Sequence, residues 1–120
     1  MREFNFKKSY EEIKINGKDY TIDFSDEAIL QYQKKFNVYH KKYQTLKAKE
    51  EDSTDYYDEA KVLMTDIVDG ILGEGKFDAL YMESGKSLYN MSELILFLSD
   101  ILGEKVESVR EKNKQKYVRK

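Results

Sequence analysis

The chain has 120 residues, 40% hydrophobic and 37% charged, which suits one small domain and is too short for two. It contains one His and no Cys, so a disulfide framework, a thiolate metal site and a Cys nucleophile are excluded. The charges nearly cancel at −2, so the chain as a whole has no basic field that would attract nucleic acid or an anionic membrane.

The sequence gives no sign of a membrane segment or a signal peptide. No apolar run approaches the roughly 18 residues needed to cross a bilayer. Residues 1–8 (MREFNFKK) lack the apolar stretch and the small-residue cleavage site of a signal peptide. We therefore expect a soluble, cytoplasmic protein.

Residues 11–24 show the clearest local signal, that of a β-hairpin. Asn16-Gly17 tolerates the positive φ angles of a type I′ turn, whose twist matches the flanking strands. The predicted pairs are Ile15 with Lys18, Ile13 with Tyr20 and Glu11 with Ile22, which places Ile13, Ile15, Tyr20 and Ile22 on one face. Because a lone hairpin is marginal in water, this face must pack on helices or extend a neighbour's sheet.

Ser25, followed by Asp26 and Glu27, predicts the start of a long helix over about residues 26–48. Apolar and aromatic residues then recur at spacings of three and four, which forms a heptad seam. The seam consists of Ile29, Tyr32, Phe36, Tyr39, Tyr43 and Leu46. Helix packing explains these rings better than base stacking or a catalytic phenol. Their hydroxyls suggest a seam that is partly wet or shared with another chain.

The polar residues 47–55 predict a turn before a second helix over about residues 54–72. This helix has its own apolar stripe, which consists of Tyr57, Ala60, Met64, Ile67 and Ile71. The two stripes are in phase, so one unbroken helix over residues 26–72, about 70 Å long, is the alternative. A helical hairpin is favoured, because a polar turn of seam residues next to capping groups is a natural break.

Glycine and capping residues mark the next helices. Gly73 is expected to end the second helix in the left-handed conformation, and a short helix over about residues 76–82 follows. Asn90, with Glu93 three residues later as in a capping box, predicts the start of an apolar helix over about residues 90–102. This should be the core helix.

Gly103 is expected to stop or bend that helix at the end of a single domain over residues 1–103. The fold class is α+β, mainly α, with the hairpin packed on a small helical bundle that contains a long first helix and a helical hairpin. Residues 104–120 carry seven Lys or Arg against three Glu and should form a basic, weakly helical or disordered tail. A solvated, frayed terminus is the favoured interpretation, and contact with an acidic partner or RNA is the alternative.

Two stretches imitate a phosphate-binding loop. Residues 70–76 have the spacing of its glycines and lysine, but Phe77 stands where the magnesium-binding Ser or Thr belongs. Residues 84–87 contain Gly-Lys-Ser, but Leu80 stands where the first Gly belongs. No strand is expected before either segment, so both are interpreted as chance matches.

Other candidate reactive residues are equally isolated. His40 lies in a lysine-rich stretch without Cys or a second His, so it is expected on the surface. Asp66 and Asp69, three residues apart on one helix, lack a second acidic cluster and are expected to be solvated or paired with Lys. We therefore expect no enzymatic activity, no metal and no cofactor, which leaves recognition of another protein.

The order of the elements resembles the small tail assembly chaperones of long-tailed bacteriophages and prophages of Gram-positive hosts, over about residues 10–102. The matching pieces are residues 13–20 (IKINGKDY), 25–27 (SDE) and the block 66–97, above all residues 67–75 (IVDGILGEG) followed by Phe77, Leu80 and Tyr81. The resemblance implies a non-enzymatic chaperone. It would coat the long, hydrophobic, helical tape measure protein before tail-tube subunits polymerise around it.

A binder of such a helix needs an extended apolar and aromatic face, and the candidate residues are Tyr32, Phe36, Tyr39 and Tyr43. The expected partner is the tape measure protein or another tail protein, with a homo-oligomer also compatible and no nucleic acid or membrane expected. One alternative is a structural tail or neck protein of the virion, built into a ring through its hairpin edges. Another is a small regulator that binds RNA through the basic tail.

Overall fold

The computed structural model describes residues 1–47 and 54–118, with side chains as far as residue 106. Within these residues a β-hairpin precedes four helices, so the fold is α+β and mainly α, as predicted. The elements are β1 (Tyr10–Ile15), β2 (Lys18–Asp23), α1 (Asp26–Lys47), α2 (Thr54–Leu72), α3 (Lys76–Glu83) and α4 (Leu88–Val118).

The hairpin has the predicted turn and register. Asn16 and Gly17 both have positive φ, at 52° and 82°, as a type I′ turn requires. The pairs are those expected from the sequence: Ile15 with Lys18, Ile13 with Tyr20 and Glu11 with Ile22. Ile13 and Ile22 are buried, whereas Lys14 and Asp19 form an exposed ion pair at 3.7 Å on the other face.

The turn of the hairpin lies against the end of α3. The side-chain amide of Asn16 donates to Oε1 of Glu83 at 3.2 Å. The Nζ atom of Lys18 lies 3.4 Å from the same oxygen. These two contacts join the turn to a residue far along the chain.

Helices α1 and α2 form the predicted helical hairpin. Lys35, in the middle of α1, pairs with Asp66 on α2 at 3.1 Å, and Leu46 near the end of α1 lies with Val62 in a hollow near the start of α2. This antiparallel arrangement rules out the unbroken helix. The predicted turn falls mostly on residues 48–53, which lie outside the described residues.

The start of α4 differs from the prediction. Ser87 is the cap: its Oγ accepts the backbone N–H of Asn90 at 3.1 Å, and its carbonyl accepts that of Met91. Asn90 lies inside the helix, and its side chain donates to the carbonyl of Ser84. The predicted cap at Asn90 is wrong, because Ser87, three positions earlier, also has a short polar side chain and caps the helix instead.

The end of α4 also differs, because the helix continues through Gly103 as far as Val118. A glycine inside a helix costs about 1 kcal/mol, which the turns on either side can offset. Val106, half-buried, continues the four-residue spacing from the buried Leu102. Residues 104–118 therefore belong to the same helix, which runs past the predicted stop at Gly103.

The core lies where the hairpin, α2, α3 and α4 meet. Its most completely buried side chains come from β2, α2 and α4: Ile22, Ile67, Val68, Met91 and Leu98. The α4 contribution follows the spacing of one helix face, with Met91, Ile95, Leu98 and Leu102 all buried. α4 therefore lines the core, as predicted, but α2 lines it as fully, with five buried side chains: Ala60, Met64, Ile67, Val68 and Ile71.

Candidate functional site

The structure divides the four predicted partner-binding residues between the core and the surface. Tyr32 is 6% exposed and belongs to the core. Phe36 and Tyr39 are partly buried and pack against the core. Tyr43 is also partly buried and stacks on Tyr39, with the ring centroids 5.7 Å apart. The four side chains therefore do not form one open stripe.

Tyr32 connects α1 to the end of the hairpin. Burial raises the pKa of its phenol, and the nearby carboxylate of Asp23 raises it further, while a backbone hydrogen bond from Asp23 acts in the opposite direction. The last two effects place the Tyr32 hydroxyl close to Asp23, the last residue of β2. Tyr32 is thus an anchor of the fold, with its ring largely withdrawn from any partner.

Tyr39 and Tyr43 continue the stripe towards the end of α1. Burial raises the pKa of the Tyr39 phenol, with a smaller contribution from Tyr43. The ammonium group of Lys47 lies 5.4 Å from the centre of the Tyr43 ring, at a cation–π distance. These contacts cover part of both rings, and the remainder of each side chain is exposed to solvent.

A groove runs between α1 and the second half of α4, with a volume of about 510 Å³. We call it the α1–α4 groove. Its α1 wall includes Ile29, Tyr32, Phe36 and His40, and its α4 wall includes Ser99, Leu102, Lys105 and Val106, with Phe24 between the two. A second hollow of about 450 Å³ shares Phe24, Ile29, Lys105 and Val106 and extends the groove to Asp26 and Leu30.

The α1–α4 groove has an apolar floor and a polar rim. Phe24 and Leu102 are buried, and Ile29 and Phe36 are partly exposed beside them. Lys105 holds its ammonium group 5.2 Å from the centre of the Phe24 ring. From Asp26 to His40 the groove follows α1 for about 20 Å. Its shape and chemistry suit the apolar face of an amphipathic helix.

The sequence patterns predicted part of the α1 wall of the α1–α4 groove but not its α4 wall. Phe36 was predicted as a partner-binding residue, and it lies in the groove. Lys105 and Val106 were assigned to the tail, because Gly103 was expected to end the helix. The spacing of Leu98, Leu102 and Val106 contained the missing signal, since it continues one helix face across the glycine.

The two aspartates on α2, Asp66 and Asp69, bind different groups. Asp66 pairs with Lys35, and Asp69 accepts the backbone N–H groups of Gly75 at 3.2 Å and of Phe77 at 2.8 Å. His40 is exposed, with its ring 6.2 Å from that of Phe36. Within the described part of the chain, no group of three or more His, Cys, Asp or Glu lies close enough together to hold a metal ion.

Comparisons of the chain with protein-family models, with curated proteins and with solved structures find no match. Among residues 1–47 and 54–118, no helix is both long and apolar enough to cross a membrane.

Proposed function

We propose that this chain is a non-enzymatic tail assembly chaperone of a long-tailed phage or prophage of a Gram-positive host. It acts in the cytoplasm of the host cell, where it binds the hydrophobic helical tape measure protein before tail-tube subunits polymerise around it. The observation that carries the proposal is the α1–α4 groove, which has an apolar floor and a polar rim and is about 20 Å long. The resemblance of the hairpin and of residues 67–75 to that family supports it.

The length of the α1–α4 groove suits a helical client. A helix rises about 5.4 Å per turn, so about 20 Å corresponds to between three and four turns. Its partly exposed apolar residues, Ile29 and Phe36, offer hydrophobic contact to such a helix. The contact is too short for very tight binding, and a chaperone must release its client when the tube assembles.

Co-expression with the long helical protein encoded beside this chain tests the proposal. The chain should keep that protein soluble and co-purify with it. Val106→Ser, which alters the α4 wall of the groove, should reduce co-purification at least about tenfold if it removes about 1.4 kcal/mol of binding free energy. Val62→Ser is the matched control, because Val62 is 69% exposed on α2 and lies outside the groove.

Equal co-purification of the two variants would contradict binding through the groove. Circular dichroism of each purified variant separates lost binding from lost folding, since both should keep the helical spectrum of the unaltered chain. Phe36→Ser should also weaken binding. If the Phe36→Ser variant instead loses its helical signal, Phe36 acts mainly in the core.

A second candidate is a structural tail or neck protein built into a ring. The hairpin favours it, because within residues 1–47 and 54–118 the sheet has only two strands and its outer edges are unpaired. Each free edge can accept a strand from a neighbour. A structural protein should be found in purified virions, whereas an assembly chaperone should be absent from them.

A further inference from the structure

Residues 2–8, which we call the aromatic arm, precede the hairpin and are exposed along their whole length. Phe4 is 78% exposed and Phe6 is 91% exposed. Two largely exposed phenylalanines whose rings touch form an apolar patch that is a candidate interaction site. Because the arm lies outside the core, its residues can be changed without unfolding the domain.

The arm has the side-chain alternation of a strand. The rings of Phe4 and Phe6 touch edge to face, with their centroids 5.0 Å apart. Further along, the ammonium group of Lys8 lies 5.6 Å from the centre of the Tyr10 ring. Contacts between residues two apart place the even-numbered side chains on one side, as in an extended chain.

Among residues 1–47 and 54–118, no strand pairs with the arm. The last bond of the ladder runs from the backbone N–H of Phe24 to the carbonyl of Ser9, at 2.7 Å. The chain then turns into α1 at Asp26, so β2 does not continue opposite the arm. Both edges of the arm are therefore open to a strand from another molecule.

We propose that the aromatic arms of two copies of this chain pair antiparallel about a twofold axis at Asn5, forming a dimer. Phe4 of each copy then lies opposite Phe6 of the other, which gathers four phenylalanines on one face. Glu3 of each copy lies opposite Lys7 of the other on the second face. Aromatic pairs and opposite charges are both favourable at directly opposite positions of an antiparallel ribbon.

The charges select this register over its neighbours. Placing Phe4 opposite Phe4 brings Glu3 opposite Asn5, and placing Phe6 opposite Phe6 brings Lys7 opposite Asn5. Neither arrangement pairs a carboxylate with an ammonium group. In the proposed register Arg2 faces Lys8, an unfavourable pair that lies at the two exposed ends of the ribbon, where salt screens it.

The dimer should be weak and concentration-dependent. Seven residues from each copy bury less surface than the roughly 1,000 Å² of a stable interface. A twofold contact of this kind uses the same surface on both copies and closes on itself, so it produces dimers and no larger rings.

Cysteine cross-linking tests the register, since the chain has no Cys of its own. Asn5→Cys puts the two thiols directly opposite each other, and mild oxidation should join the copies. Glu3→Cys is the matched control: in the dimer its two thiols lie four positions apart along the ribbon, about 13 Å, which is beyond the reach of a disulfide. Because Glu3→Cys also loses the pairing with Lys7, each variant is oxidised at a concentration at which sedimentation shows it to be dimeric. Asn5→Cys should then cross-link at least about tenfold faster than Glu3→Cys.

A charge exchange tests the pairing itself, by sedimentation equilibrium at low salt. Glu3→Lys and Lys7→Glu should each weaken the dimer, because each places like charges opposite one another. An equimolar mixture of the two variants should recover the dimer, since every introduced charge then faces its opposite. The double variant E3K/K7E should recover it as well.

The proposal is overturned if the mixture associates no better than either variant alone. It is also overturned if Asn5→Cys cross-links no faster than Glu3→Cys. Faster cross-linking of Phe4→Cys or Phe6→Cys than of Asn5→Cys would likewise overturn it in favour of a shifted register. None of these measurements uses the helical partner, so their failure leaves the chaperone proposal standing.

Discussion

Asp69 on α2 holds the start of α3, with its Oδ1 atom 2.8 Å from the backbone nitrogen of Phe77. Its other oxygen accepts the backbone N–H of Gly75 at 3.2 Å. The first backbone N–H groups of a helix have no partner within that helix, so the carboxylate satisfies donors that would otherwise depend on water. Phe77 is 2% exposed, and the same contact therefore positions a core side chain.

Replacing Asp69 should destabilise the fold. Asp69→Ala removes two hydrogen bonds at a helix start and should lower the free energy of unfolding by about 1–2 kcal/mol. Asp66→Ala is the control, because its exposed ion pair with Lys35 contributes at most about 1 kcal/mol. Urea denaturation followed by circular dichroism measures both. Equal losses would contradict the capping role of Asp69.

Two glycine substitutions should have opposite signs. Gly17 has φ at +82° with nothing near an added Cβ, so Gly17→Ala should cost about 1–2 kcal/mol through backbone strain alone. Gly103 lies inside α4 with open space around it, so Gly103→Ala should stabilise the fold by about 0.5–1 kcal/mol. Urea midpoints of the two variants give the comparison. A loss of stability in Gly103→Ala would argue against a continuous α4.

The hairpin and the end of α4 show what local sequence does and does not determine. The Asn16-Gly17 turn and the alternation beside it are local signals, and together they gave the correct register. The end of α4 depends on a balance between the small cost of Gly103 and the packing of the following turn. Contacts of that kind involve residues far apart in sequence, such as Lys105 and Phe24, and local patterns do not contain them.

The candidate site was predictable only in part for a related reason. The heptad spacing correctly identified one face of α1, but it could not say which rings the rest of the fold covers. Tyr32 is covered by its packing near Asp23, whereas Phe36 remains partly open. The α1–α4 groove required both walls to be known, and one of them lies beyond the predicted end of the helix.

Alkaline pH should destabilise the protein through Tyr32. Its folded pKa lies above the ordinary value of about 10, so its contribution to stability is complete below pH 10 and is lost as the pH rises through the folded pKa. Tyr32→Phe should lose less stability than the unaltered chain between about pH 9 and pH 11. Tyr57→Phe serves as the control, because Tyr57 is 50% exposed.

Urea midpoints at several pH values measure this difference. The unaltered chain and Tyr57→Phe should follow the same curve. If Tyr32→Phe follows that curve as well, the buried phenol does not control the alkaline transition.

Two leucines on α4 should respond very differently to truncation. Leu98 is fully buried, so Leu98→Ala should cost about 2–5 kcal/mol through lost burial and a residual cavity. Leu96 is 64% exposed, and Leu96→Ala should change stability by no more than about 0.5 kcal/mol. Thermal and urea denaturation report both values. A large loss at Leu96 would show that this outer face of α4 is covered in solution.

The burial of Ile13 and Ile22 among α4 residues has a consequence for synthesis. The hairpin is made before α4, yet the core that covers it includes Leu98 and Leu102. A nascent chain therefore carries its β-ribbon with the apolar face uncovered until α4 has left the ribosome. Stable folding of the hairpin must then wait for a helix that is made much later.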